Sequence, residues 1–254
     1  MKVEIERHFS EAEHETWAKL FSNLERSRKT QAHPIFSEGV EKLGLSSRHI
    51  PSIKDVNSRL VKLTGWRGIP VEGLEEAGSF FHALREKTFP IGNFIRDAGD
   101  MSYTPAPDIF HDLYGHLPFL ANDEYADFCH RFGEMACRYI DQPILLRQFE
   151  RLFWFAVEFP IIEGADGDRI FGGGILSSSS ECDYALSDKP KVLPFNIEDI
   201  RARDYKIDEM QTTIFKFKTP QELYSCLESF EAGLQDDRPR QRLGYLGSVS
   251  YTHL

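Results

Sequence analysis

The sequence predicts a mainly α, α+β fold: one α-rich domain with a few short β-strands. Apolar residues recur at helical spacing along much of the chain, as in Trp17, Leu20, Phe21 and Leu24, or Tyr125, Phe128, Cys129, Phe132 and Met135. Strand-like patches are short and few, at Asp168-Arg169-Ile170-Phe171 and Thr213-Ile214-Phe215-Lys216-Phe217. At 254 residues the chain can bury a sizeable core, and one or two domains are both compatible with its length.

Taken in order, Ser10 with Glu13 forms a capping box that starts the first helix, and the basic cluster Arg26-Ser27-Arg28-Lys29 ends it. A loop at Ile50-Pro51-Ser52-Ile53 leads into a helix through Val56, Leu60 and Leu63, closed by Gly65. Trp66-Arg67-Gly68-Ile69-Pro70-Val71-Glu72-Gly73-Leu74 reads as a Gly/Pro-rich connection, and Phe80-Phe81-His82-Ala83-Leu84 as helix. The Tyr125 to Met135 stripe is core packing, and Leu145, Phe149, Leu152 and Phe153 lead into a second buried helix that stops at Pro160. Gly172-Gly173-Gly174 is not a phosphate loop, since no Gly-Lys-Ser/Thr follows, and the serines at 177–180 read as a polar loop. Thr219-Pro220-Gln221-Glu222 caps a last helix with Leu223, Cys226, Leu227 and Phe230 on one face. Residues 236–254 lack a heptad pattern and are expected to be disordered or an expression-derived tail.

A formal charge of -10 argues against a nucleic-acid partner, which a basic face would attract. No apolar run approaches the ~20 residues a membrane span needs. Met1-Lys2-Val3-Glu4-Ile5-Glu6-Arg7-His8 has no apolar signal region, and Cys129, Cys137, Cys182 and Cys226 form no CxxC pair. A cytoplasmic location with reduced, core-filling thiols is therefore expected.

Chemistry concentrates at Pro107-Asp108-Ile109-Phe110-His111-Asp112-Leu113-Tyr114-Gly115-His116. Neutral imidazole is the commonest side-chain metal ligand, so the question is whether His111 and His116 converge. Five residues apart on a regular helix, they would point about 140° away from each other. Convergence needs a locally widened turn, a feature that favours functional sites, and Gly115 is suitably placed for one. Spacing alone leaves two ordinary core or surface histidines somewhat ahead of a metal site. Downstream, Leu152-Phe153-Trp154-Phe155-Ala156-Val157-Glu158-Phe159-Pro160 places one carboxylate in an apolar run. Buried, Glu158 must find a metal, a proton or a cation, and a distant arginine serves as well as a metal on these grounds. Two histidines and a carboxylate are the facial set of non-haem Fe(II) oxygenases.

Several ordered segments resemble the pterin-dependent aromatic amino acid hydroxylases, most closely the bacterial phenylalanine 4-hydroxylases. They are Phe89-Pro90-Ile91 through Phe94-Ile95-Arg96, the Pro107 to Asp112 run with Gly115-His116, and Trp154-Phe155 with Val157-Glu158-Phe159. The match continues through Gly172-Gly173-Gly174-Ile175-Leu176-Ser177-Ser178 to Glu181, and Lys189-Pro190-Lys191. The resemblance implies a catalytic domain over residues 41–235, an N-terminal helical extension over 1–40, and iron in a central cleft.

It further implies that His111, His116 and Glu158 hold Fe(II), and that a tetrahydropterin lies against Gly73, Leu74, Phe80 and Asp112. The acidic Glu75-Glu76-Ala77 departs from the animal pattern of that loop. Arg96, on its own an arginine among Asp97 and Asp100, becomes the clamp for an amino acid's carboxylate, held by Asp108. Thr104, Trp154, Gly174 and Ser177 fall at the substrate, with Glu181 behind a ligating histidine as its orienting partner. Trp154, four residues from Glu158, is expected on the same helix face, lining the same cavity.

The activity so implied is hydroxylation of free L-phenylalanine to L-tyrosine with O2. Trp154 and Pro90 favour phenylalanine, whereas Ile207 resembles the tryptophan hydroxylases, so tryptophan or tyrosine is the alternative ring. A non-catalytic amino-acid or pterin sensor is the alternative of a different class. A hydrolytic zinc site lacks its His-Glu-x-x-His base. Neither a tetramerising C-terminal helix nor an N-terminal regulatory domain is readable, so a monomer is expected.

Overall fold

The computed structural model describes residues 7–73, 75–99, 106–207 and 209–236. The chain opens with α1 (Glu11–Asn23), α2 (Glu25–Thr30), α3 (Pro34–Leu43) and α4 (Ile53–Thr64). A strand–helix–strand unit follows: β1 (Arg67–Val71), α5 (Ala77–Arg85) and β2 (Thr88–Gly92). A π-helix (His111–His116) then runs into α6 (Leu117–Leu120), α7 (Asp123–Cys137) and α8 (Pro143–Phe153), which continues as a second π-helix (Trp154–Glu158). The remainder alternates short elements: β3 (Ile161–Ile162), β4 (Arg169–Ile170), α9 (Gly173–Leu176), α10 (Ser179–Ala185), β5 (Lys191–Pro194), α11 (Ile197–Ala202), β6 (Thr213–Phe217), α12 (Pro220–Tyr224) and α13 (Cys226–Asp236).

Local sequence explains most of the boundaries. Ser10 and Glu13 form the reciprocal capping box of α1. Ser52 caps α4 and Gly65 ends it at φ 80°, where a side chain would be strained. Four expectations are corrected. Arg26 to Lys29 do not end α1 but form α2, because the chain breaks at Leu24. Leu63 is 38% exposed, since the inward stripe of α4 runs through Val56, Leu60 and Thr64, whose hydroxyl donates to Leu120 O. The Gly/Pro-rich connection holds β1, which pairs in parallel with β2 from Arg67↔Thr88 to Val71↔Gly92. Its outer edge is satisfied by Asn57, which bonds both the N–H and the C=O of Gly68. The serines at 177–180 are no exposed loop: Ser177 and Ser178 are buried, and Ser178 caps α10.

A second sheet has the order β4-β3-β6-β5, with β3–β4 antiparallel and the other pairs parallel. Aromatic rings fill the centre. Trp17 of α1 meets Phe110, and Phe21 and Phe36 both meet Tyr114 edge-on. The helices of residues 7–40 thus share the core on which the first π-helix sits. On the other side Phe81, Phe132, Phe149 and Phe153 pack around α5, α7 and α8. Cys129, Cys182 and Cys226 are buried, and all four cysteines are free. Among the described residues no helix is long and apolar enough to cross a membrane.

Candidate metal centre

The two histidines converge because the helix carrying them is widened. An i→i+5 pattern brings residues five apart onto one face, which a regular turn would not do. His111 Nε2 and His116 Nε2 lie 3.0 Å apart. Glu158, at the end of the second π-helix, brings Oε2 to 3.2 Å from His116 Nε2 and 3.7 Å from His111 Nε2. Among the described residues this is the one group of three potential metal ligands that meets at a point.

Each ligand is held from behind. The Ser177 hydroxyl donates to Gly174 O at 2.8 Å and lies 3.0 Å from His111 Nδ1. With its proton committed, the hydroxyl accepts from Nδ1–H, which assigns the Nδ1 tautomer and leaves the Nε2 lone pair aimed at the centre. The orienting partner is therefore Ser177, where Glu181 was expected. Phe89 stacks on the His116 ring at 4.9 Å and 25°. Glu158 is approached closely by Gly174, where a Cβ would fall 2.8 Å from Oε2.

The electrostatics fit a cation. Burial pushes His111 down to about 4, against the pull of Glu158, so this imidazole is neutral. Burial also acts on Glu158, raising it, but the two imidazoles outweigh that and hold the carboxylate ionised. His116, lowered by burial, is raised on balance by the same carboxylate. Oε2 of Glu158 is buried with no hydrogen-bond partner, an expense that a bound cation removes. Donors about 2.1 Å from one metal and at right angles would stand about 3.0 Å apart, close to the spacing seen. The residues fit a metal bound on one face.

Around this centre Gly73, Glu75, Phe80, Phe89, Pro90, Asp112 and Phe153 line a cavity that is partly open. Gly73 has φ 84°, and Phe80 packs edge-on against Phe89 and Phe153. Asp112 accepts from Gly92 N–H at 2.7 Å, and burial pushes it up to about 8, so it stands in the cavity as a neutral acid. Phe89 and Phe153 had no site role in the sequence reading, and Pro90 entered it only in the choice of aromatic ring. Alternation in the short β2 gave no sign of which face looks inward.

Arg96 and Asp108 form a buried fork. Asp108 accepts Arg96 N–H and Nε–H through Oδ2 and Nη2–H through Oδ1, each at 2.8 Å, and Oδ1 also takes His111 N–H at 2.9 Å. Burial raises the Asp108 carboxyl, but these donors together hold it below its ordinary value. Nη1 of Arg96 turns toward Ser177 O at 3.4 Å. Glu181 shares this corner: burial, with Glu158 nearby, raises it to about 7. Trp154 does not line the described cavity. Its indole lies between Tyr205 and Phe159, one turn before Glu158. Leu74 and Thr104 lie outside the described residues, as does the tail beyond Asp236.

The family described as biopterin-dependent aromatic amino acid hydroxylase matches residues 3–239. The chain belongs to this family. Phenylalanine-4-hydroxylase of Pseudomonas aeruginosa is 36% identical over 208 residues, 82% of this chain and 79% of the relative. That of Caulobacter vibrioides is 35% identical, over 85% of this chain and 73% of the relative. The phenylalanine hydroxylase of Chromobacterium violaceum, solved with iron(III) and oxidised 7,8-dihydrobiopterin, superposes with a TM-score of 0.84 at 33% identity, covering 90% of this chain and 84% of that one. The same enzyme solved with iron and phenylalanine gives 0.81 at 32% identity, with the same coverage.

Proposed function

We propose that the chain is an iron- and tetrahydropterin-dependent monooxygenase that hydroxylates free L-phenylalanine to L-tyrosine with O2. The carrying observation is the meeting of His111 Nε2, His116 Nε2 and Glu158 Oε2 at cis-ligand spacing inside an aromatic cavity. These side chains would hold Fe(II) from one side. When bound, iron and the reduced pterin together activate dioxygen and supply two electrons to the reaction.

The chain's own residues do the placing. Ser177 keeps the His111 proton on Nδ1, away from the metal. Gly73, Phe80 and the neutral Asp112 bound the side of the cavity suited to a flat pterin, and Asp112 can donate as well as accept there. Asp108 takes the Nε and Nη2 edge of Arg96, which leaves the guanidinium's outer end for a substrate carboxylate. Thr104, Trp154, Gly174 and Ser177 complete the substrate side in this reading. Phe80, Phe89 and Phe153 exclude water.

The enzyme works as a monomer in the cytoplasm in this reading, where its four thiols stay reduced. Light scattering at 29.3 kDa tests the first point. Anaerobic iron loading, followed by product analysis with each aromatic amino acid and a synthetic tetrahydropterin, tests the activity. L-Tyrosine from L-phenylalanine is expected, and binding of amino acid without pterin oxidation would leave a sensor.

A further inference from the structure

The widened turn that brings the imidazoles together carries a second pair at the same spacing. Tyr114 and Phe119, like His111 and His116, are five residues apart. Both meet one ring: Phe36 of α3 lies 5.3 Å from Tyr114 at 78° and 5.3 Å from Phe119 at 48°. On a regular helix two residues five apart point about 140° away from each other, so one ring does not pack well against both. Phe36 therefore fits the widened turn and not the ordinary one. None of Phe36, Tyr114 and Phe119 lines the metal cavity.

Phe36 is fully buried and cannot back away. Gly39, three residues on, comes so close to Pro118 O that a side chain there has no room, which seats α3 on α6. Tyr114 is held by further partners. Phe21 meets it edge-on at 5.3 Å, Phe110 stacks on it at 4.8 Å and 18°, and Arg28 Nη1 donates to its hydroxyl at 3.4 Å. Gly115 presses on α9, where a Cβ would fall 2.6 Å from Gly173 O. The chain itself gives an ordinary turn little support here. Pro118 has no N–H to offer Tyr114 O, as an α pattern would require.

We infer that Phe36 is a positioning residue for the metal: wedged against Tyr114 and Phe119, it keeps the turn widened, and the widened turn keeps His111 and His116 on one centre. The inference rests on the metal-binding part of the proposed function. A ring on α3 thus sets the aim of two nitrogens carried by another element. Without the wedge the turn tightens toward α geometry, which swings one imidazole away from the other. Loss of a group that orients a metal ligand costs about 10- to 100-fold in metal affinity, and Phe36 does this for two ligands at once.

The test loads cobalt(II) as the probe into wild type, Phe36→Ala, which removes the wedge, and Phe36→Met, which refills most of its volume. Affinity is read by competition with a chelator and ligand geometry by the visible absorption of bound cobalt(II), each well below the melting temperature. Phe36→Ala should bind cobalt(II) about 10-fold more weakly and with a changed spectrum, and Phe36→Met should recover much of both. Phe217→Ala removes an equally buried ring, stacked on Phe195 in the second sheet. It should lower melting while affinity and spectrum stay as in wild type. Unchanged affinity and spectrum in a folded Phe36→Ala overturn the inference, as does an equal loss in Phe217→Ala. Should Phe36→Ala not fold, Tyr114→Leu, which takes away the ring that the wedge grips, must weaken and alter cobalt(II) binding in the same way or the inference fails. A wild type that takes up no cobalt(II) overturns the metal reading and this inference with it. A wild type that binds cobalt(II) yet hydroxylates nothing when loaded with iron overturns the catalytic reading alone, with the cobalt(II) comparison still deciding this one.

Discussion

His111 can offer one nitrogen to a metal because Ser177 occupies the other. Removing that hydroxyl frees the tautomer and the ring's rotation, so Ser177→Ala should weaken Fe(II) binding about 10- to 100-fold while the fold persists. A competition titration against a chelator reads this, and unchanged affinity would remove Ser177 from the account. Glu158→Gln cannot supply the charge the cation needs, and iron and turnover should vanish together. Retained hydroxylation in a metal-replete assay of that variant would falsify the ligand assignment. Asp108 is a different case, being fully buried against Arg96. Asp108→Ala strands a buried guanidinium and should cost about 3–5 kcal/mol of stability, measured by denaturant unfolding. At this scale the sequence posed the question where a polar group had no local excuse, at the acid in Leu152-Phe153-Trp154-Phe155-Ala156-Val157-Glu158 and at the imidazoles beside Asp112, and only the family resemblance favoured a metal there. It could not separate Ser177 from Glu181, because which side chain reaches an imidazole is decided by the approach of α9 to the first π-helix, not by spacing along the chain.

Two π-helices deliver the ligands, and both owe their position to what packs on them. The first is braced by Phe21 and Phe36 against Tyr114, the second continues α8 into the core. The short α9 must come close enough for Ser177 to reach His111, which leaves no room for a side chain at Gly174. Gly174→Ala should therefore push the Glu158 carboxylate aside, lowering metal affinity with little change in melting. The absorption spectrum of the cobalt(II)-loaded variant should shift, and an unchanged spectrum with unchanged affinity would show that the carboxylate has slack. At the start of α3, His33 accepts Ile35 N–H through Nδ1, and burial holds its pKa below the usual 6.5. The unfolded chain thus takes up this proton more readily. Stability contributed by the neutral cap is complete above pH 6.5 and is lost as pH falls toward the lowered folded value. His33→Asn, which caps without titrating, should flatten unfolding free energy between pH 7 and pH 5 relative to wild type. Capping boxes and Gly C-caps were legible in the sequence because they act within four residues. β1 was not, since a strand with Gly68 and Pro70 shows itself only through its partner β2 and through Asn57.

The whole molecule closes around its centre: helices from the first 40 residues, the β1–α5–β2 unit and α7 to α9 all reach the same core. A metal that binds only this assembled state adds to its stability. At a free Fe(II) concentration 100 times the dissociation constant the gain is about 2.7 kcal/mol, so chelation should lower the melting temperature by about 5–10 °C. Scanning calorimetry with and without chelator reads it, and an identical melt would mean that the three ligands hold no metal in the folded chain. The sequence by itself determined the helical periodicity, the caps and the aromatic filling, because those follow from side-chain chemistry and short-range geometry; the three ligands were named only through the resemblance to a known family. Tertiary structure alone decided that the histidine helix would widen, that Ser177 would face Nδ1, that Asp112 would stand neutral, and that Phe36 would meet both Tyr114 and Phe119. Each of these depends on distance and dielectric between segments far apart in the chain, and neither quantity exists until the chain has folded.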